Sequence, residues 1–137
     1  MTNPNIVSVT TIYGESIGQA LATDVTTVIM TVEQHALVKV NYIAITNTHA
    51  TVAIDVSVAI TKNGFTSAGV ASGDDNAGVF FLAKTVNLPA DDVLVVLDKP
   101  IYLMEYDNIE AGASATTGDI FVSFEVINDA LNRMENI

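Results

Sequence analysis

The residues able to do acid–base or metal chemistry are few: two histidines, His35 and His49, and some paired acids. Each histidine sits in a short polar segment beside an apolar run, Glu33-Gln34-His35 and Asn47-Thr48-His49-Ala50. Neither has an acid at the spacing of a catalytic or metal-binding motif, so both are expected to be turn residues. Asp91-Asp92 in one turn, and Glu105, Asp107 and Glu110 around another, offer the carboxylates that glycoside hydrolysis uses. Neither group has the aromatic platform of a sugar cleft, and the chain has no tryptophan. Gly73-Asp74-Asp75-Asn76 offers oxygens to calcium. An EF-hand would need acids at alternate positions and a glutamate closing the loop, and that pattern is missing. No nucleophile elbow, zinc helix or phosphate-cradling glycine loop is present. Zero cysteines removes thiolate catalysis, disulfides and cysteine metal sites. The expectation is a non-enzymatic protein with no cofactor and no metal, whose function lies in its surfaces.

Those surfaces carry a strong charge bias, with 16 acidic residues against 5 basic ones for a net charge of −11. Phosphate binding needs clustered Lys and Arg, so nucleic acid is not an expected partner. Half of the residues are hydrophobic, yet no apolar run approaches the ~18 needed to cross a bilayer, so no membrane is expected either. No basic-then-apolar leader with a cleavage site opens the chain, which predicts synthesis in the cytoplasm. At 137 residues one domain is expected.

The elements that would position any surface are strands. In residues 51–61, Val52, Ile54, Val56, Val58 and Ile60 share one parity, while Ala53, Asp55, Ser57 and Ala59 share the other. That period of two fits a half-buried strand; on a helix the same β-branched residues would scatter around the surface. Polar residues bound the run, Asn47 to Ala50 before it and Lys62-Asn63-Gly64 after it. Further strands are predicted over residues 6–13 (closed by Gly14), 26–32, 37–46, 79–88, 93–97, 109–115 and 120–126, and residues 101–104 continue the apolar character after Asp98-Lys99-Pro100. Residues 17–22 fit either a helical turn or an extended segment. In residues 26–32, Val28, Met30 and Val32 are predicted to share a face. Residues 37–46 are apolar on both parities, which predicts a central strand. It is predicted to form a hairpin with the 51–61 strand through the turn at Asn47 to Ala50. Small residues at Ala111, Gly112, Ala113 and Ala115 suit a place where two sheets, or two subunits, approach closely. Turn signals every ~8 to 12 residues and no convincing long helix predict an all-β antiparallel sandwich, jelly-roll-like, of about eight strands. Asp129 is a candidate cap for a short C-terminal helix carrying Ile127, Leu131 and Met134 on one stripe.

The strand and turn chemistry resembles a known family. The carrying segments are residues 38–52, Phe81-Leu82-Ala83-Lys84-Thr85-Val86-Asn87-Leu88-Pro89-Ala90, and Val93-Leu94-Val95-Val96-Leu97-Asp98-Lys99-Pro100-Ile101-Tyr102-Leu103. A closing Tyr106-Asp107-Asn108-Ile109-Glu110-Ala111-Gly112-Ala113-Ser114-Ala115 completes the series. Together they resemble small β-sandwich virion structural proteins of tailed bacteriophages, of the cyanophage and marine-phage type. The resemblance spans about residues 26–127. It departs at Tyr106-Asp107, where glycine-aspartate is usual, and in a longer loop at residues 65–78. It implies a capsid cement or decoration protein in the virion, with a neck, collar or tail-fibre component as the alternative. It carries no catalytic residues over.

Two function classes therefore stand side by side. One is a homo-oligomer, a trimer by family style, that binds the major capsid protein or neck proteins; the other is a carbohydrate-binding adhesion module. The first requires strand edges and termini as contacts; the second requires an aromatic concavity built from Tyr13, Tyr42, Tyr102 and Tyr106. The candidate interface residues are Asn3 and Asn5 of an N-terminal arm, Phe65 and Val70 of the glycine-rich loop, and Leu131, Arg133 and Met134 of the C-terminal tail. Arg133, the single arginine, fits either a solvated helix position or an interface anchor. Residues 1–25 are assigned to the arm and first strand and 128–137 to the tail, so residues 6–127 are expected to fold on their own.

Overall fold

The computed structural model describes residues 11–23, 27–62 and 78–128. Their alternating sequence folds into nine strands: β1 (Thr11–Ala20), β2 (Thr27–Thr31), β3 (Ala36–Asn47), β4 (Ile54–Lys62), β5 (Gly78–Leu88), β6 (Val93–Leu97), β7 (Ile101–Leu103), β8 (Asn108–Ala113) and β9 (Gly118–Asn128). One sheet has the order β1-β9-β3-β6, with β7 also paired to β3, and the other has the order β2-β8-β4-β5. Every pairing is antiparallel. β6 and β7 are two pieces of one strand position beside β3, split where Asp98-Lys99-Pro100 removes a ladder donor. With those pieces merged the pairing is nested: β4 with β5, β3 with β6/β7, β2 with β8, β1 with β9. A nested antiparallel hairpin wrapped over two sheets is the jelly roll, so the expected fold class is the observed one.

The predicted strand pattern placed the core face well and the hairpin wrongly. Val56, Val58 and Ile60 of β4 pack in one cluster with Val122, Phe124 and Val126 of β9. Val52 does not join them: it precedes β4 and is 52% exposed. β3 and β4 are not a hairpin; they lie in different sheets, with the chain crossing the sandwich between them. Asn47 stands where the chain leaves β3 for this crossing, as the last residue of the strand. It ends β3 fully buried, and its Nδ2 donates to the carbonyls of Val52 (2.8 Å), Leu88 (3.2 Å) and Pro89 (3.2 Å). Its Oδ1 accepts from His49 N (3.0 Å) and Thr117 Oγ1 (3.1 Å), so one amide ties three loops together at this end.

Bulges explain where parity reading slipped. β3 is central, as predicted, but its register against β9 shifts between Val40 and Tyr42. The inward positions therefore change from Val38 and Val40 to Ile43 and Ile45, leaving Tyr42 outward. β2 shifts between Val28 and Met30, so Ile29 and Met30 are both buried while Val28 is exposed. Gly14 does not close β1, which continues in unbroken pairing with β9 to Ala20, so residues 17–20 are extended. Lys62 belongs to β4 and is not a turn residue. Ile127 and Asn128 belong to β9; Asn128 is buried and pairs with both Thr11 and Ala36, so the sandwich includes it and the tail starts one residue later. The remainder of the predicted C-terminal helix lies outside the described residues. The small-residue strand is β8, where Ile109, Ala111 and Ala113 face the core. A Cβ on the neighbouring Gly118 would meet Ile54 Cδ1 at 3.2 Å and Ala113 Cβ at 3.3 Å, which shows how closely the sheets approach there.

Candidate interaction surface

The histidines and acids are held apart. His49 Nδ1 accepts the amides of Thr51 (3.1 Å) and Val52 (3.0 Å), a turn-stabilising role at the Asn47 end. At that same end Asp92 Oδ1 accepts its neighbour's amide, Val93 N, at 2.8 Å. His35 lies at the opposite end in the β2–β3 turn, with φ of 61°. Glu105, Asp107 and Glu110 do not converge. Asp107 is buried and ion-paired with Lys62, and its Oδ2 also accepts Met104 N at 2.9 Å. Glu110 lies opposite Ala59, on the outer side of its sheet. Glu105 is 4% exposed, and the backbone amide of His35 approaches its carboxylate without completing a hydrogen bond of ordinary geometry. Burial pushes its pKa up, partly offset by the backbone amide and the ring of His35. Among the described residues no three His, Asp or Glu side chains gather as a metal site. Gly73-Asp74-Asp75-Asn76 lies outside the described residues.

The tyrosines are also dispersed. Tyr42 and Tyr102 lie on the outer side of the five-stranded sheet, Tyr106 is in the β7–β8 turn, and Tyr13 lies on the inward side of β1. Tyr13, Glu15 and Ile17 line a cleft of about 280 Å³ between β1 and β2, floored by Met30, Val38 and Phe124. This cleft has one tyrosine, not the four-tyrosine platform that an adhesion module would use.

Exposed apolar side chains concentrate on edge strands. β5 presents Val79, Phe80, Phe81 and Leu82 consecutively, with Lys84 Nζ 5.1 Å from the Phe81 ring centre. β1 presents Ile12, 61% exposed, and Tyr13, 43% exposed. Phe121 of β9 is exposed beside Gly18 of β1, where its Cδ1 lies 3.5 Å from the position a Cβ would take. The ring thus covers bare backbone on the outer side of the sheet. Asn3, Asn5, Phe65, Val70, Leu131, Arg133 and Met134 all lie outside the described residues. The strand ends from which their segments depart are described, and they share one end of the sandwich. Thr11 pairs with Asn128, and Lys62 pairs with Gly78, beside the Lys62–Asp107 pair. Sequence reading named strand edges and termini as contacts but placed its candidate residues only in the termini and the long loop; the signal for β5 was consecutive apolar residues at Val79 to Leu82, where one-sided burial would alternate.

Fold and surface together define a jelly-roll sandwich whose exposed features are apolar strand edges. No protein-family model matches the chain, and no curated protein matches it. Among solved structures, the chain is similar to one in a structure of infectious bursal disease virus Gt strain, with 10% sequence identity and a TM-score of 0.31. The match covers 86% of this chain and 33% of that one, and a likeness this slight assigns neither family nor function.

Proposed function

We propose that this protein is a non-enzymatic virion structural protein, a capsid cement or decoration protein that associates with copies of itself and binds a capsid lattice. One observation carries the reading: Val79, Phe80, Phe81 and Leu82 are exposed side by side on an edge strand of a strongly acidic chain. A sandwich that works alone has no use for such a surface, whereas an assembling one covers it. The phage-protein resemblance of residues 26–127 supports the virion setting, and jelly rolls are frequent in capsid domains. Acidic charge keeps the free protein soluble until its lattice forms. A homo-oligomer on the major capsid protein is the assembly this reading favours, and a neck, collar or fibre position is its variant. Mass spectrometry of purified particles tests it: hundreds of copies per particle mark a decoration protein, ring-like numbers mark the neck, and absence from the particle overturns the proposal.

A further inference from the structure

Sheet edges left open are templates for pairing with another chain, and proteins blunt them with short strands, bulges, prolines or charges. Among the described residues, three of the four sheet edges carry such devices. β2 has five residues and a register shift. β5 has two register shifts, and in the bulged stretch Thr85 takes a φ of 51° with its amide on Ser57 Oγ at 2.9 Å. β6/β7 is broken by Asp98-Lys99-Pro100 and shifts register at Ile43 and Ala44.

β1 is neither short nor bulged and has no proline. Its ten residues pair with β9 in one unbroken register, and no other described strand pairs with its far side. Apart from half-buried Ile17 and Gln19, its residues are exposed. Its only charged residue is Glu15, which stands opposite Phe124 and so faces the cleft side, not the outer side.

We infer that the open edge of β1 is where a second copy of this chain adds its own β1, antiparallel, to make one continuous sheet across a two-fold axis. The occupant follows from charge. Two chains at −11 repel, so their contact must be nearly free of carboxylates, and β1 is long, regular and nearly uncharged. Opposed residues in an antiparallel pair share a side of the sheet, so odd positions face odd and even face even. A register centred on Ser16 meets this rule. It sets Glu15 against Ile17 of the second copy, Tyr13 against Gln19 and Gly14 against Gly18, and keeps the two Glu15 carboxylates from facing each other. The inference rests on the self-association in the proposed function and names its contact, which is two-fold.

Light scattering of the full chain across micromolar concentrations, together with two variants, tests it. Ser16 is exposed, so Ser16→Lys leaves the fold intact but places like charges against each other on the axis. The parent should show a dimer mass; Ser16→Lys should weaken dimerisation roughly tenfold or more with an unchanged thermal midpoint. The chain has no cysteine, so Ser16→Cys reports proximity cleanly, and a short bismaleimide should link two copies. If Ser16→Lys is unstable, the cysteine variant decides. A trimer, or a dimer that is indifferent to Ser16→Lys and not linked through Ser16→Cys, overturns β1 pairing and leaves self-association standing. A parent that stays monomeric throughout overturns β1 pairing and self-association in solution together.

Discussion

Lys62 at the end of β4 forms an ion pair with Asp107 in the β7–β8 turn, and Asp107 is almost out of solvent while Lys62 keeps partial contact with it. The pair fastens that turn to the four-stranded sheet at the end where the long loop leaves. Removing one member strands the other: Lys62→Met leaves a buried carboxylate with Met104 N as one remaining donor. The expected loss is ~3 kcal/mol, at the low end for a buried pair because Lys62 is partly solvated. Lys62→Met combined with Asp107→Leu should lose less than the two single changes added together, and urea unfolding of the four proteins measures this.

At the opposite end the single amide of Asn47 serves three loops. Asn47→Ala would leave the carbonyls of Val52, Leu88 and Pro89 and the hydroxyl of Thr117 without this partner. Unsatisfied buried groups cost ~1–3 kcal/mol each, partly relieved by water, so a loss on the order of 3 kcal/mol or more is expected. Asn47→Asp should be nearly as damaging, since a carboxylate cannot donate to the three carbonyls. Thermal unfolding of both variants checks this.

Glu105 gives a pH dependence with a definite sign. Burial raises its folded-state pKa above the unfolded-state value, so the folded protein binds the proton more readily. Stability attributable to this group is therefore greatest in acid and falls as pH rises past the unfolded value toward and through the folded one. Glu105→Gln removes the titration. Its thermal midpoint should exceed the parent's at about pH 8, with the difference shrinking toward about pH 4. A constant difference across that range would show that the carboxyl is not desolvated.

Period-two alternation made most of the fold legible because β4, β8 and β9 bury one parity without interruption, from Val56 to Ile60 and from Ile120 to Val126. Strand partners were not legible. The Asn47 to Ala50 segment has the composition of a hairpin turn, and only the buried amide of Asn47 with its bonds to distant loops shows that the chain crosses sheets there. Bulges were equally hidden, since one extra residue at Asn41 exchanges inward and outward positions with no compositional mark. The surface was harder still. β1 resembles any strand with two glycines, and its open edge appears only once the other three edges are seen to be blunted.

Val56 and Val52 have the same side chain and the same parity, and the structure separates them. Val56 is fully buried between the sheets, so Val56→Asp places a carboxylate where no cation faces it; desolvating that charge exceeds the ~5–15 kcal/mol margin of a typical domain or forces it to take up a proton at severe cost. Val52 is 52% exposed in the segment before β4 and contributes its backbone carbonyl to Asn47 Nδ2 and its amide to His49 Nδ1. Val52→Asp keeps both backbone bonds and should change stability by less than ~1 kcal/mol. Circular dichroism melts of the purified variants check the contrast: Val56→Asp should be unfolded or insoluble, and Val52→Asp should melt within a few degrees of the parent. If the two behave alike, the crossing between β3 and β4 is misplaced and residues 51–61 form one uniform strand.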